Sequence, residues 1–452
     1  MTDDSTKEAL EAAVPVLTSI ASRTNVLARI HWPRSVEQGF FARGGEELPE
    51  PVYAVDRATA EENVKALERL RKSLSGDDAL RELLRRTATS YRDANRLLLA
   101  VGTPLFYELS CEIYGGAQST ALDEDTTNLD LAEHLLGRLS HQSPAAAEGP
   151  TSIAPPGEPP LDHRDLVRAL AERLGREQPA LEVSVVVSDD VAPKVIAGAR
   201  QVRVREGARF TPEEARSLFV HEIETHALTA QNGSAQPHLS FLRSGGPRST
   251  RTQEGLAVFA ELFDRSLSAA RLLRLAERVR MVAMAEDGAS FLDVYRSMTA
   301  AGVPTREAYL DTVRVFRGGV VAGGAPFTKD TVYLAGLIQV YNFLRTSVTR
   351  GTRHVAETLI AGRVALDDMG LLLVLREQGL LAPPVYVPGW LSNWQTLLPY
   401  LAFTSFLNEV SLPPPLIRGK ARKREPAAPR GANGPPSEGN GSPPGGNAPP
   451  AG

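Results

Sequence analysis

The sequence has little of several features that would narrow its function at once. It contains one cysteine, Cys111, in 452 residues, so neither an internal disulfide framework nor a cysteine-rich metal cluster is possible. Basic and acidic residues nearly balance, 50 against 54, and the net charge of −4 argues against a nucleic-acid partner. The apolar runs fall well short of the ~18 residues that a membrane helix needs. The N-terminus lacks the basic-then-apolar layout of a secretion signal, so we expect a cytoplasmic protein.

The apolar pattern predicts an α+β fold that is mainly helical. Residues 1–142 show helical apolar spacing and should form an N-terminal helical region, whereas residues 143–160 are rich in Pro, Gly and Ala and predict a loop. Residues 161–412 should form the main domain, with a small sheet. Pro or Gly occupies 15 of the 28 positions from Glu425 to Gly452, so residues 413–452 are predicted to be a disordered tail.

Two short segments carry the β signal. They are Leu181–Ser188 (LEVSVVVS) and Gln201–Arg205 (QVRVR). The second alternates apolar and basic residues, which we interpret as an edge strand with one solvated face, open to pairing with an extended peptide.

One predicted helix carries the clearest chemistry. Residues 211–214 (TPEE) are typical of a helix start with a capping box, and the helix that follows contains HEIETH at 221–226. Zinc hydrolases use two imidazoles beside a carboxylate, because neutral imidazole binds Zn²⁺ and the carboxylate takes a proton from water. His221, Glu222 and His226 fit those roles, while Glu224 is expected to be solvated, with orientation of a histidine as the alternative.

The spacing of the two histidines is unusual. They are five residues apart, not four as in H-E-x-x-H, and a regular helix would separate them by about 140°. A π-bulge with ~4.4 residues per turn would reduce that angle to about 50°, so a shared metal predicts a π-bulge within 221–226. The alternative, a surface helix whose histidines point in different directions, stays open.

Glu254 is the candidate for a third ligand. It lies in the first turn of another predicted helix, and it would complete a His₂Glu set with one position left for water. The plainer interpretation is that Glu254 only complements the helix dipole.

Several motifs together resemble a known family. They are HEIETH at 221–226, GPR at 246–248, QEGLA at 253–257, RVFRG at 314–318 and FTKDTVYLAG at 327–336. With them, the sequence is similar to the bacterial QEGLA-motif proteins, a family named for a reported effect on flavohaemoglobin expression, and to the related microtubule-associated tyrosine carboxypeptidases. The similarity spans residues from about 10 to 410.

The resemblance implies a zincin-like metallopeptidase core that binds Zn²⁺ through His221, His226 and Glu254, with Glu222 as the catalytic base. It also implies a carboxypeptidase that acts on a peptide or protein C-terminus. The sequence departs from the eukaryotic relatives at Gln253, where they tend to carry an acidic residue, and no tubulin-docking insertion is identifiable. Tubulin as the substrate is therefore not implied.

Positive charge near such a site would select for a C-terminal carboxylate. We expect Arg314, Arg317, Lys329 and Tyr333 to bind substrate, because guanidinium groups match carboxylates and a Tyr hydroxyl can brace an oxyanion. The alternatives are ordinary helix-end charge and, for Tyr333, core packing. Two other functions also stay open: a regulatory or scaffold protein with a structural metal site, and a zinc amidohydrolase acting on a non-peptide amide.

Overall fold

Helices dominate the fold, in agreement with the mainly helical α+β prediction. The computed structural model describes residues 4–120, 125–139, 159–189, 191 and 193–409. None of the helices in these ranges combines the length and the apolar character needed to cross a membrane.

The N-terminal helices begin at polar caps. The Asp56 side chain accepts the Thr59 amide hydrogen at the start of one helix, and Asp78 accepts that of Arg81 at the start of the next. Gly76, whose φ of 108° favours glycine, lies between these two helices. The helices of this region are α1 (Asp4–Arg23), α2 (Val26–Arg29), α3 (Arg34–Ala42), α4 (Arg57–Ser73), α5 (Ala79–Leu99), α6 (Pro104–Tyr114) and α7 (Asn128–Leu139).

The strands form two small sheets. The strands are β1 (Leu161–Asp162), β2 (Ser184–Ser188), β3 (Val195–Ala197), β4 (Gln201–Arg205) and β5 (Arg209–Phe210). The three-stranded sheet has the order β2-β4-β3, in which β4 is parallel to β2 and antiparallel to β3. An antiparallel pair, β1 with β5, forms the other sheet.

The prediction that Gln201–Arg205 is an edge strand is wrong, because β4 lies in the centre of its sheet. Val202 and Val204 are fully buried while Arg203 faces the other side. Alternation of this kind shows that one face is buried, but it does not show whether the strand has neighbours on both sides. A peptide therefore cannot pair with β4, because β2 and β3 occupy both of its edges.

The helices of the remaining chain surround the sheets and supply the candidate site. They are α8 (His163–Glu177), α9 (Pro212–Leu218), the π-helix (Phe219–Ala227), α10 (Leu228–Ser234), α11 (Thr250–Phe263), α12 (Ala269–Glu286), α13 (Phe291–Ala300), α14 (Thr305–Phe316), α15 (Val332–Thr349), α16 (Arg353–Leu359), α17 (Met369–Glu377), α18 (Gly389–Ser392) and α19 (Trp394–Glu409). Short 3₁₀ turns occupy Ser240–Arg243, Pro247–Ser249, Thr328–Thr331 and Leu366–Asp368.

Helices α11 and α15 touch through two glycines. A Cβ added at Gly255 would lie 2.1 Å from the carbonyl carbon of Gly336, and one added at Gly336 would lie 2.1 Å from the Arg251 carbonyl oxygen. Only hydrogen fits between the two backbones at this crossing. The close approach fixes Glu254, next to Gly255, against the segment that carries Lys329.

The N-terminal helices pack directly on the later part of the chain. The described residues up to Phe406 form one compact unit, in which the Ser110 hydroxyl accepts the Thr328 amide hydrogen. The division into a helical region (1–142) and a catalytic domain (161–412) stays a prediction. Of the predicted loop at 143–160 only residues 159 and 160 are described, and the predicted tail at 413–452 lies outside the described residues.

Candidate metal centre

The helix that carries both histidines begins as its sequence predicts. The Thr211 hydroxyl accepts the Glu214 amide hydrogen at 3.1 Å, and the Glu214 carboxylate accepts that of Thr211 at 2.9 Å, which is a complete capping box. After Leu218, α9 widens into the π-helix, Phe219–Ala227. The predicted π-bulge within 221–226 is therefore confirmed.

The wider turn brings the two imidazoles to one place. Their ring centroids are 5.0 Å apart, with an angle of 85° between the ring planes. Oε2 of Glu254 is 3.6 Å from Nε2 of His221 and 3.7 Å from Nε2 of His226. One ligand atom from each of the three side chains lies within 4.8 Å of the others. The rings converge and do not point apart. We call His221, His226 and Glu254 the triad.

The separations within the triad suit a shared metal ion better than hydrogen bonds. Distances of 3.6 and 3.7 Å exceed the hydrogen-bond range. Ligands about 2.1 Å from a tetrahedral zinc ion lie about 3.4 Å from one another, so a small inward movement would complete the coordination. Two imidazoles and one carboxylate are also the protein ligands of a class of catalytic zinc sites, in which one position is left for water or substrate. The triad therefore fits a divalent metal ion such as zinc.

A carboxylate that the sequence analysis missed holds His221 in place. Glu261 is 1% exposed, and its Oε1 lies 2.7 Å from Nδ1 of His221. Nε of Arg271 lies 3.4 Å from the other oxygen of the same carboxylate. When Nδ1 of His221 donates to Glu261, the lone pair of its Nε2 is directed towards Glu254 and His226. A signal was present, since Glu261 follows Glu254 by two helical turns and so shares its face of α11.

Burial and ionic contacts shift the pKa in opposite directions at two members of the triad, His221 and Glu254. Burial lowers the pKa of His221, but the nearby Glu254 carboxylate and the hydrogen-bonded Glu261 carboxylate outweigh it and raise the pKa to about 10. Burial raises the pKa of Glu254, but the charge of Lys329 and the contacts with both histidines hold it well below its usual range. Glu254 is thus ionised and ready to bind a cation, whereas a metal has to displace a proton from His221.

Two of the predicted substrate-binding residues lie next to the triad. Nζ of Lys329 is 2.8 Å from Oε1 of Glu254 and 3.2 Å from the Tyr333 hydroxyl oxygen. Glu254 therefore uses one oxygen for Lys329 and presents the other to the histidines.

The two predicted arginines differ in how they are bound. Arg314 makes a two-pronged contact with Asp330, in which NH2 and Oδ1 are 2.8 Å apart. In the described part of the chain, the Arg317 guanidinium makes no hydrogen bond or ion pair, although it lies 5.7 Å from the Phe327 ring centroid. Lys329, which contacts Tyr333, is followed in the chain by Asp330, which binds Arg314, so these contacts are adjacent.

The two glutamates of HEIETH have different surroundings. Glu222 is partly exposed, and its charge acts on His221 and on Arg363. Glu224 is buried and accepts hydrogen bonds from the Gln178 side chain at 2.7 Å and the Gly389 amide at 3.0 Å. The expectation that Glu224 is solvated is wrong, because the ends of α8 and α18 cover it. Glu222 is therefore the glutamate of this motif that remains available for chemistry.

Several solved structures are similar to this chain at low identity. One is metallocarboxypeptidase 1 of Trypanosoma cruzi, with a TM-score of 0.35 and 14% identity over 89% of this chain and 99% of that one. Another is a protein of Colwellia psychrerythraea described as a lipoprotein, with a TM-score of 0.42 and 15% identity over 76% of this chain and 72% of that one.

The sequence comparison is more informative. No curated protein matches the chain. Residues 38–409 match the family model for microtubule-associated tyrosine carboxypeptidase, which covers most of the chain and all the residues of the triad. Membership of the bacterial QEGLA-motif group stays a prediction. The chain belongs to the family of microtubule-associated tyrosine carboxypeptidases.

Proposed function

We propose that this protein is a zinc-dependent metallopeptidase with a zincin-like core that removes a residue from a peptide or protein C-terminus. The observation that carries the proposal is the convergence of three ligand atoms within 4.8 Å of one another, with Glu222 partly exposed and next to His221 in the chain. Family membership adds the substrate class, a peptide.

The proposed roles follow from where the side chains lie. His221, His226 and Glu254 would hold the metal, and Glu261 would keep the His221 ring in its binding orientation. What a bound zinc ion supplies is Lewis acidity, which polarises a carbonyl and makes water more acidic. Glu222, next to His221 in the chain, would take a proton from the attacking water and pass it to the leaving amine.

The charged group beyond Glu254 would bind the end of the substrate. Arg317 is the best candidate for the terminal carboxylate, because its guanidinium makes no hydrogen bond or ion pair in the described part of the chain and its terminal nitrogens are not sealed from solvent. Lys329 lies beside Glu254 and Tyr333 contacts Lys329, and both would face the carbonyl oxygen of the scissile bond. Arg314 would reach the substrate only by releasing Asp330.

Glu222→Gln tests the proposal. We expect peptide hydrolysis to fall by about 10²–10⁴-fold, because a general base is lost. Zinc content should not change, since Glu222 is not a member of the triad. The measurements are metal analysis of the purified variant and the amino acids released from a peptide mixture, followed over time.

Glu213→Gln on α9 is the matched control and should leave both measurements unchanged. Equal release by wild type and Glu222→Gln would contradict the role of Glu222. A zinc-loaded wild type that frees no amino acid would favour the scaffold alternative, and cleavage of non-peptide amides alone would favour the amidohydrolase. Zinc retained by Glu254→Ala would contradict the proposed ligand set.

A further inference from the structure

A cavity that the proposed chemistry does not use lies behind the metal-binding helix. Its empty space is about 420 Å³, including the part open to solvent. It lies between α5, the segment 241–249 and the segment 363–372. The polar side chains in its wall belong to Thr87, Ser90, Tyr91, Arg248, Ser249, Arg363 and Asp368, and the hydroxyl hydrogens of Thr87 and Ser249 are already donated to backbone carbonyls.

Arg363 is the charged group in this wall that lacks a charged partner. Its NH2 donates to the carbonyl oxygen of His226 at 3.1 Å, whereas its Nε is buried and finds no partner in the described ranges. Burial lowers the pKa of Arg363, and the charges of Glu222 and Glu254 act in the opposite direction. No hydrogen bond of NH1 is found among the described residues either, and NH1, unlike Nε, is not sealed from solvent, so it can donate to a bound acceptor.

Two hydroxyl groups add donors to the same wall. Tyr91 is 2% exposed, and no hydrogen bond of its hydroxyl is found among the described residues. Burial raises the pKa of Tyr91, so the hydroxyl keeps its proton at neutral pH. The Ser90 hydroxyl oxygen accepts the Arg248 amide hydrogen at 3.1 Å, which leaves its own hydrogen free to donate.

The loop beside these donors can approach only because it contains two glycines. A Cβ at Gly245 would lie 2.9 Å from Cβ of Arg363, and one at Gly246 would lie 2.7 Å from the Ser90 hydroxyl oxygen. Gly245 also has a φ of 51°, which favours glycine. The backbone therefore closes tightly around Arg363 and Ser90.

The charges of the wall select the kind of ligand. The Asp368 carboxylate is already bound, by Arg86 at 3.1 Å and by Arg248 at 2.8 Å. The unmatched groups are then one cation and two hydroxyl donors, which suit a singly charged anion with acceptor oxygens. Leu83, Phe241 and Leu372 line the rest of the cavity and suit an apolar body. These features favour an organic carboxylate over a phosphate, which would bring more negative charge than the wall can balance.

We propose that this cavity binds an organic carboxylate, with Arg363 as the charged anchor and Tyr91 and Ser90 as additional donors. The site is separate from the group around Arg317, and its existence does not depend on hydrolysis. Arg363 also donates a hydrogen bond to the carbonyl oxygen of His226, so Arg363 would connect an occupant of the cavity to a member of the triad. The carboxylate could come from a bound peptide or from a free small molecule, and the same variants distinguish the two sources.

Thermal unfolding with sodium acetate and sodium hexanoate tests the site, with sodium chloride at equal ionic strength as reference. We expect a saturable rise in Tm with both carboxylates and a lower apparent Kd for hexanoate, because its chain would contact the apolar wall. Arg363→Gln should raise the apparent Kd at least tenfold, and Tyr91→Phe should raise it severalfold. Arg71→Gln is the matched control, because Arg71 also has a buried Nε without a partner among the described residues but lies on α4, away from the cavity.

A rise in Tm no larger than that in chloride, or an Arg363→Gln variant that responds like wild type, would overturn the proposal and leave a cavity that holds only water. If Arg363→Gln does not fold, an unchanged response of Tyr91→Phe overturns it. Competition between hexanoate and a peptide substrate, together with a raised KM in Tyr91→Phe, would identify the peptide as the source. A change in kcat without competition would identify a free effector. Failure of hydrolysis in wild type would contradict the proposed function and leave the Tm result intact.

Discussion

The triad and the pair formed by Arg314 and Asp330 are two neighbouring groups of buried polar side chains, and they differ in how closely their members are bonded to one another. In the triad, the nearest atoms of Glu254 and the two imidazoles are 3.6 and 3.7 Å apart. In the pair formed by Arg314 and Asp330, NH2 and Oδ1 are 2.8 Å apart and a second N–H···O bond runs beside the first. The facing ligand atoms of the triad are too far apart for hydrogen bonds to one another, whereas Arg314 and Asp330 are joined by two hydrogen bonds.

The difference separates a binding site from a structural ion pair. Burial and a displaced pKa are common to both groups, so neither property distinguishes them. What distinguishes them is whether the polar atoms have completed their bonds within the protein. Lys329 joins the two groups, since it binds Glu254 directly and is followed in the chain by Asp330.

Breaking the pair of Arg314 and Asp330, which we call the closed pair, should have the largest effect on the stability of the protein. Asp330 is 1% exposed, so Asp330→Asn would leave the Arg314 charge without a partner, and we expect a loss of about 3–5 kcal/mol in the free energy of unfolding. Urea unfolding of the metal-free protein measures it. Asp311→Asn is the control: its partner is Arg278 but its side chain is 21% exposed, so its loss should be smaller. Equal losses would mean that burial does not set the strength of these pairs.

Local features of both groups could be predicted from the sequence, because they depend on nearby residues. The five-residue histidine spacing predicted the π-helix, and TPEE at 211–214 predicted the start of α9. The motifs HEIETH and QEGLA marked the members of the triad, although α11, unlike α9, has no side-chain cap at its start.

Contacts between distant parts of the chain could not be predicted in the same way. Lys329 reaches Glu254 across 75 residues, and nothing local to either side chain specifies that contact. The central place of β4 depends on β2 and β3, and the cavity at Arg363 depends on α5, far away in the chain. Charge pattern identified Arg314 as basic, but only the fold shows that Asp330 occupies it.

The crossing of α11 and α15 keeps the two groups adjacent, and Gly255→Ala would disturb it. The added methyl group would lie 2.1 Å from a Gly336 backbone atom, so the helices would have to separate. We expect a loss of about 1–3 kcal/mol in stability and weaker zinc binding, because Glu254 moves with α11. Gly137→Ala on α7 meets nothing within 4 Å and should be neutral or slightly stabilising. Unchanged zinc affinity in Gly255→Ala would show that the crossing does not position Glu254.

Replacing Glu261 tests whether its contact with Nδ1 of His221 prepares the triad for a metal ion. Glu261→Gln keeps the size of the side chain and removes the charge, so we expect zinc affinity to fall by about 10–100-fold. Competition with a chromophoric chelator measures the affinity without hydrolysis. Asp264→Asn, which changes a carboxylate just beyond the end of α11 that pairs with Arg173, should leave zinc affinity unchanged. Wild-type affinity in Glu261→Gln would mean that the backbone alone orients the His221 ring.

Acid should weaken the closed pair in a defined pH range. Burial raises the pKa of Asp330, but the charges of Arg314 and Arg278 outweigh it and hold the pKa far below its usual value. A carboxyl group with a depressed folded pKa stabilises the protein above its unfolded pKa of about 3.9, and this contribution is lost as the pH falls towards the folded pKa. The stability difference between wild type and Asp330→Asn should therefore be constant above about pH 5 and should narrow by about 1–2 kcal/mol below about pH 4. Urea unfolding from pH 6 to pH 3 measures it. A difference that stays constant over the whole range would mean that Asp330 does not titrate differently in the folded and unfolded chain, and the contrast between a closed pair and an open triad would then lose its electrostatic basis.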